Sequence, residues 1–283
     1  RTEIKPRLPQ ATILHHEQYS AAAEPDAVAR YDLDGVHFDD YFYPYAVAGE
    51  DYPDEETYAS HSDGSTPIQD WRRGNIDALV REILDLATSR SRVVVGFTGP
   101  PGAGKTTVAR RATLELADRL GDAHIGYLPM DGFHLATPML HLLRRTERRG
   151  AQDTFDVDGF VATLRRAATP DTEVYAPDFD HNLGEPIAAS ALIPATARIV
   201  VVEGNYLAFD GAWAPVRRLI DRMWFVDLPD AIRHERLLAR HVATGRSVDD
   251  ALEWIRSVDD PNAAQIRATQ SRCDATLDAT TID

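Results

Sequence analysis

Val93-Val-Val-Gly-Phe-Thr-Gly99-Pro-Pro-Gly-Ala-Gly-Lys105-Thr106 is the stretch that decides the fold. Residues 93–97 form an apolar run of the kind buried on both faces of a parallel sheet. Residues 99–106 match G-x-x-x-x-G-K-[ST] at every position, between a strand and the helical pattern of residues 107–120, which Gly121 closes. Each residue type has a physical reason. Gly102 and Gly104 allow a tight turn that aims several N–H groups at one anion. The helix N-terminus adds its dipole. Lys105 reaches the β- and γ-phosphates, and the Thr106 hydroxyl ligates Mg²⁺. Gly99, Pro100, Pro101, Gly102, Ala103, Gly104, Lys105, Thr106 and Thr107 are therefore the expected nucleotide-binding residues, with Mg²⁺ beside them; the loop alone does not separate kinase, GTPase, motor and transporter ATPase.

Around this loop, strand and helix patterns alternate. Further strands are expected at residues 125–130, 199–202 and 223–226, and a helix runs from Asp230 to Ala243. Alternation of this kind predicts a parallel sheet covered by helices on both faces. Upstream, Thr66, Pro67 and Gln69 form a helix-start signature, and Ile76, Leu79, Val80, Ile83, Leu84 and Ala87 recur at helical spacing to about Ser89.

Two strand ends carry carboxylates. Asp131, in Met130-Asp-Gly-Phe-His134, ends the second strand and reads either as an acceptor of a hydroxyl proton or as an Asp-Gly turn. Glu203, in Ile199-Val-Val-Val-Glu203-Gly-Asn-Tyr206, reads either as a carboxylate holding Mg²⁺ or as an ordinary strand end. On the helix after the fourth strand, Arg233, Arg236 and Arg240 share one face, as a solvated stripe or as cations that close over phosphates.

Composition narrows the field. The 283 residues have a formal net charge of −15, which disfavours a general nucleic-acid partner. A single cysteine, Cys273, makes no internal disulfide and fits a reducing, cytoplasmic setting. No apolar run of about 18 residues is present, and residues 1–10 lack the core of a signal peptide. The chain opens on Arg1, so the natural N-terminus is expected upstream. A homodimer is the base-rate expectation for assembly.

Residues 91–283 resemble the phosphoribulokinase/uridine kinase group of P-loop kinases, with likeness to its sugar-kinase-like and pantothenate-kinase-like members. The motifs keep their order: residues 99–107, Leu128-Pro-Met-Asp-Gly-Phe-His134, Asp153-Thr-Phe-Asp156, Val174-Tyr-Ala-Pro-Asp-Phe-Asp180, Val201-Val-Glu-Gly-Asn-Tyr206 and Asp260-Pro-Asn262. The resemblance implies the α/β fold of P-loop NTPases. It also implies transfer of the ATP γ-phosphate to a hydroxyl of a small metabolite. Asp131 would be the base, with Lys105, Arg236 and Arg240 completing the catalytic set. The Thr-Phe-Asp and Tyr175–His181 segments would line the acceptor pocket, the arginine helix would be the lid, and residues 260–262 would lie near adenine. His134, Asp156, Tyr175 and Asp178 suggest a polar acceptor such as a sugar or nucleoside. Gln152, where a proline is expected, and His181, where an arginine is expected, depart from the pattern beside that pocket.

Residues 1–65 differ in character, holding seven of the ten tyrosines and a predominantly acidic charge. Residues 28–88, through Tyr31-Asp-Leu-Asp-Gly-Val-His-Phe-Asp-Asp-Tyr-Phe-Tyr-Pro44 and Asp70-Trp-Arg-Arg-Gly-Asn75, resemble one strand–loop–helix unit of a glycoside-hydrolase-like (β/α)₈ barrel. A short strand is expected to end at Asp39, leaving Asp39 and Asp40 at the sugar-facing edge. A barrel needs eight such units, so residues 1–74 read as an inactive barrel fragment joined to a kinase domain at 75–283. The competing functions are a P-loop ATPase, a non-catalytic nucleotide-binding module, and glycoside hydrolysis by the first segment. The guanine-reading Asn-Lys-x-Asp motif is absent.

Overall fold

The computed structural model describes residues 68–180 and 183–280. Thr66, Pro67, the strand expected to end at Asp39, the Asp39–Asp40 pair and His181 lie outside the described residues.

Five strands form one parallel sheet: β1 (Val93–Thr98), β2 (Ile125–Pro129), β5 (Ile199–Glu203), β6 (Arg222–Asp227) and β7 (Ala275–Asp278), in the order β2-β5-β1-β6-β7. The expected third and fourth strands each gain one or two residues, and the second stops at Pro129, where Met130 enters a short 3-10 turn. Strand alternation sends side chains to two separate cores. Val93, Val95, Phe97, Ile199, Val201, Trp224 and Val226 pack under α1 (Ile68–Ala87) and α2 (Lys105–Leu120). Within that layer Phe97 stacks on Trp224 with centroids 5.3 Å apart. Val94, Leu128, Val200, Val202, Met223 and Phe225 face the other way, against α4 (Val157–Ala168), α5 (Ala214–Leu219) and an antiparallel hairpin.

The periodic residues of α1 lie in the first of these cores: Ile76, Leu79, Val80, Ile83 and Ala87 are buried, and Leu84 packs against them. This helix ends at Ala87, a little before the expected Ser89. α2 starts at Lys105, two residues earlier than the pattern predicts, because the loop itself forms the first turn.

The hairpin, β3 (Val174–Asp180) with β4 (Glu185–Ile193), was not expected. Its sequence hides it: β4 is largely exposed, and a bulge between Ala176 and Asp178 breaks the alternation by which a strand is recognised. The strand β7 escaped for a similar reason, being four residues long and half exposed.

Arg92, just before β1, is an internal brace that the apolar pattern does not announce. It is 6% exposed and donates hydrogen bonds to the carbonyls of Ala167, Thr169, Thr172, Pro194, Ala195 and Ala197 at 2.6–3.4 Å. The guanidinium thereby satisfies buried carbonyls at the end of α4 and in the loop before β5, which lack strand partners.

Candidate active site

Parallel pairing sets the level of the site. Phe97 and Pro129 both pair with Glu203, so β1, β2 and β5 end together. The phosphate loop, Asp131 and Glu203 consequently gather at one C-terminal edge, where open α/β sheets bind ligands. Gly204 makes this possible: a β-carbon there would lie 2.4 Å from that of Met130. Any larger residue would push the end of β5 away from the turn that carries Asp131.

The loop has the geometry its glycines imply. Gly102 sits at φ +79°, and a β-carbon on it would meet Leu237 Cγ at 2.9 Å and Arg233 Cγ at 3.0 Å. The loop is thus pressed against α6 (Asp230–Ala243). No side chain caps the N-terminus of α2, which leaves its first N–H groups for an anion. Lys105 is 7% exposed, and its Nζ donates to the Pro100 carbonyl at 3.0 Å. Burial lowers its pKa to about 8; Glu203 and Asp131 resist that fall, while Arg240 and Arg233 add to it.

Glu203 is 3% exposed, and burial, followed by the charge of Asp131, raises its pKa to about 7. Lys105 and Arg110 pull the other way, as does a hydrogen bond from the Thr106 hydroxyl. The Glu203 carboxylate and the Thr106 hydroxyl are adjacent hard oxygen donors with a second carboxylate, Asp131, nearby, a donor set that fits a divalent cation. Among the described residues no group of three or more His, Cys, Asp or Glu could cage a metal alone. Mg²⁺ takes one or two protein ligands and completes its shell with phosphates and water, so Thr106 and Glu203 are the residues that would hold it.

Asp131 is 37% exposed in the turn after β2. Its carbonyl accepts from the His134 backbone N–H at 3.1 Å and lies 2.8 Å from His134 Nδ1. Only a protonated Nδ1 can donate there, so neutral His134 presents Nε2 as an acceptor. Burial lowers the pKa of His134, favouring that neutral form. Its ring lies between Phe155 and Phe179, with centroids 4.1 and 4.9 Å away. The Thr-Phe-Asp segment runs beside it: Leu135 N–H donates to Thr154 O at 2.9 Å and Asp156 N–H to Phe133 O at 2.8 Å.

The other expected site residues are distributed unevenly. Asp178 faces Arg110 and Tyr127, which both feel its charge. Asp156 is exposed and caps α4, accepting from Gly159 N–H at 2.9 Å. Tyr175 is 59% exposed on the hairpin, with the Glu173 side chain as its hydrogen-bond partner. The three helix arginines do not act alike. Arg233 is buried and paired with Asp230 on its own helix and with Asp260, tying α6 to the segment that begins at residue 260. Arg236 Nη1 lies 3.3 Å from where a β-carbon on Gly104 would be, and the Arg240 charge reaches Lys105. Asp260 thus holds Arg233 and His234, while Asn262 is buried in α8 (Asp260–Arg267).

Three residues not singled out from the sequence also face the site. Arg110 and Tyr127 adjoin Glu203. Arg149 lies over the Phe179 ring at 5.6 Å, donates to Thr137 Oγ1 at 3.3 Å and approaches Glu185 at 3.7 Å, bracing the hairpin near His134. Only Arg110 had a legible signal: it follows Thr106 by four residues and shares its helix face.

A five-stranded parallel sheet with a phosphate loop after its first strand and carboxylates at two neighbouring strand ends defines a P-loop nucleotide-binding protein of the kinase type. Sequence comparison makes the assignment specific: the phosphoribulokinase/uridine kinase family profile matches residues 94–281, and the chain belongs to that family. A Schizosaccharomyces pombe protein named as a candidate uridine kinase is 31% identical over 175 residues, covering 60% of this chain and 74% of its own. Escherichia coli YggC is 30% identical over 184 residues, covering 65% and 76%. Among solved structures, a candidate fructose transport system kinase from Silicibacter sp. TM1040 superposes with a TM-score of 0.65 at 30% identity, covering 71% of this chain and 98% of its own. The N-terminal part is similar to another family: the glycosyl hydrolase-like 10 profile matches residues 4–98. Bacillus subtilis glycosyl hydrolase YngK is 48% identical over 59 residues, which is 20% of this chain and 12% of YngK. The two profiles meet within β1.

Proposed function

We propose that this protein is an ATP-dependent kinase that moves the γ-phosphate of Mg·ATP to a hydroxyl of a small metabolite. The observation that carries the reading is the placement of Asp131 at the end of β2, close enough to Lys105 and Glu203 for its charge to act on both. A loop that only held nucleotide would have no use for a second carboxylate beside the metal carboxylate.

In this reading the N–H groups of residues 99–107 bind the phosphates, and Lys105 leaves the Pro100 carbonyl to reach the β- and γ-oxygens. Thr106 and Glu203 hold the cation, which when bound neutralises charge on the transferring group. Asp131 orients the acceptor hydroxyl and takes its proton at the carboxylate. Arg236 and Arg240 bring further positive charge over the loop. His134 Nε2 accepts a hydrogen bond from a second hydroxyl, and Phe155 and Phe179 wall the pocket. The names of the relatives, a uridine kinase and a fructose transport system kinase, support a nucleoside or sugar as acceptor. Residues 75–283 would carry this activity. No step of this reading is placed on residues 1–74.

The test is coupled ADP release from Mg·ATP across sugars, nucleosides and small hydroxy acids, with wild type beside Lys105→Ala. Acceptor-dependent release, lost in the variant, is the expected result. Release indifferent to the acceptor would make the protein an ATPase, and nucleotide binding without release would make it a binding module.

A further inference from the structure

A half-buried polar chain runs from Glu203 to α2. Tyr127, on β2, places its hydroxyl 3.4 Å from Glu203 Oε1. Arg110, one turn along α2 from Thr106, hydrogen-bonds the same hydroxyl and lies 5.9 Å from the ring centroid. The order of donors is then determined. A guanidinium has no acceptor, so the phenol oxygen must accept from Arg110. The phenol's one proton is left to point at the carboxylate. The contact is long for an O–H···O bond and part-buried, with its Glu203 end 3% exposed. Glu203 is therefore held from two sides: by Thr106 at the loop, and by a phenol whose orientation Arg110 sets. Arg110 and Tyr127 also face Asp178, so the test below reads nucleotide and metal alone, with no acceptor present.

We propose that Arg110 and Tyr127 are positioning residues that hold the Glu203 carboxylate in the orientation a divalent cation requires. This rests on reading Glu203 as the metal carboxylate. The bland alternative is that Tyr127 and Arg110 merely fill space between β2 and α2. The two differ in what they affect: packing alters stability alone, whereas positioning alters the metal's contribution to nucleotide binding. Partners that orient metal ligands are typically worth about 10–100-fold in metal affinity or activity.

The readout is the factor by which Mg²⁺ tightens binding of a non-hydrolysable ATP analogue to the full chain, measured by calorimetry without turnover. Tyr127→Phe removes one oxygen and keeps the ring, so it should fold. We expect it and Arg110→Gln to lose about tenfold or more of the tightening, with metal-free affinity unchanged and Arg110→Lys restoring much of the loss. In a Glu203→Gln background, Tyr127→Phe should have no further effect on tightening. Unchanged tightening in both Tyr127→Phe and Arg110→Gln, or a Tyr127→Phe loss that persists without the Glu203 carboxylate, overturns the proposal. Absence of any tightening in wild type would instead sink the reading of Glu203 as metal carboxylate, and this inference with it.

Discussion

Replacing Glu203 by glutamine should stabilise the nucleotide-free protein at pH 8 while removing its response to Mg²⁺. The magnitude follows from the carboxyl's pKa, which rises from 4.5 to about 7 through burial and the neighbouring Asp131. A difference of that size corresponds to about 3 kcal/mol. The folded chain holds this proton more tightly than the unfolded chain. Folding therefore takes up a proton between pH 4.5 and 7, and wild-type stability falls as pH rises across that interval. The variant has no such dependence at this position. Two effects reduce the gain: the amide is still a buried polar group, and Lys105 loses a charge that favours its ammonium form. A net gain of about 1–2 kcal/mol remains at pH 8, or about 2–8 °C in melting temperature at the usual conversion for a domain of this size. Thermal unfolding of both proteins from pH 4.5 to 8 is the assay. The difference should vanish near pH 4.5 and grow to its full size by pH 7. A variant less stable than wild type at pH 8, or a difference that is flat with pH, would refute the reasoning.

Asp131→Asn should lower turnover by about 10²–10⁴ with ATP binding intact; near-full turnover would remove Asp131 as the base. In the free enzyme, kcat/KM should climb towards pH 7 as Glu203 ionises and decline above pH 8 as Lys105 loses its proton, because this ratio reports the free enzyme's groups. A profile flat from pH 6 to 9 would contradict both assignments. Gly102→Ala should abolish nucleotide binding, since φ +79° and the contact with Leu237 leave no room for a methyl group; calorimetric binding at wild-type strength would count against the loop geometry. Arg92→Met should cost about 3 kcal/mol or more by orphaning buried carbonyls, seen as a lower urea midpoint, while activity per folded molecule is kept.

How much was legible depended on whether the chemistry was local. The loop at residues 99–106, the strand ends carrying Asp131 and Glu203, and the face of α1 were all readable, because backbone turns and side-chain periods are written in neighbouring residues. Arg233 shows where that stops. Its spacing from Arg236 and Arg240 places it on one face with them, yet it is buried and paired with Asp260, 27 residues away. The hairpin behaves in the same way, with its alternation broken by a bulge and much of its surface left to solvent. α1 is compatible with either of two families by sequence: it packs Ile76, Leu79, Val80 and Ile83 against the parallel sheet, while the glycosyl hydrolase-like 10 profile runs through it to residue 98.

Residue types at fixed short spacing carry the phosphate-binding loop and the α/β class, whereas Asp131 and Glu203 each keep a plain strand-end reading in the sequence. Tertiary structure alone decided which charges share a site. Parallel pairing at Glu203 brings residues 97 and 129 to one level, and the absent side chain of Gly204 lets the Asp131 turn close on it. Burial then shifts Lys105 and Glu203 towards each other's pKa, an effect of the low-dielectric surroundings that no single segment contains.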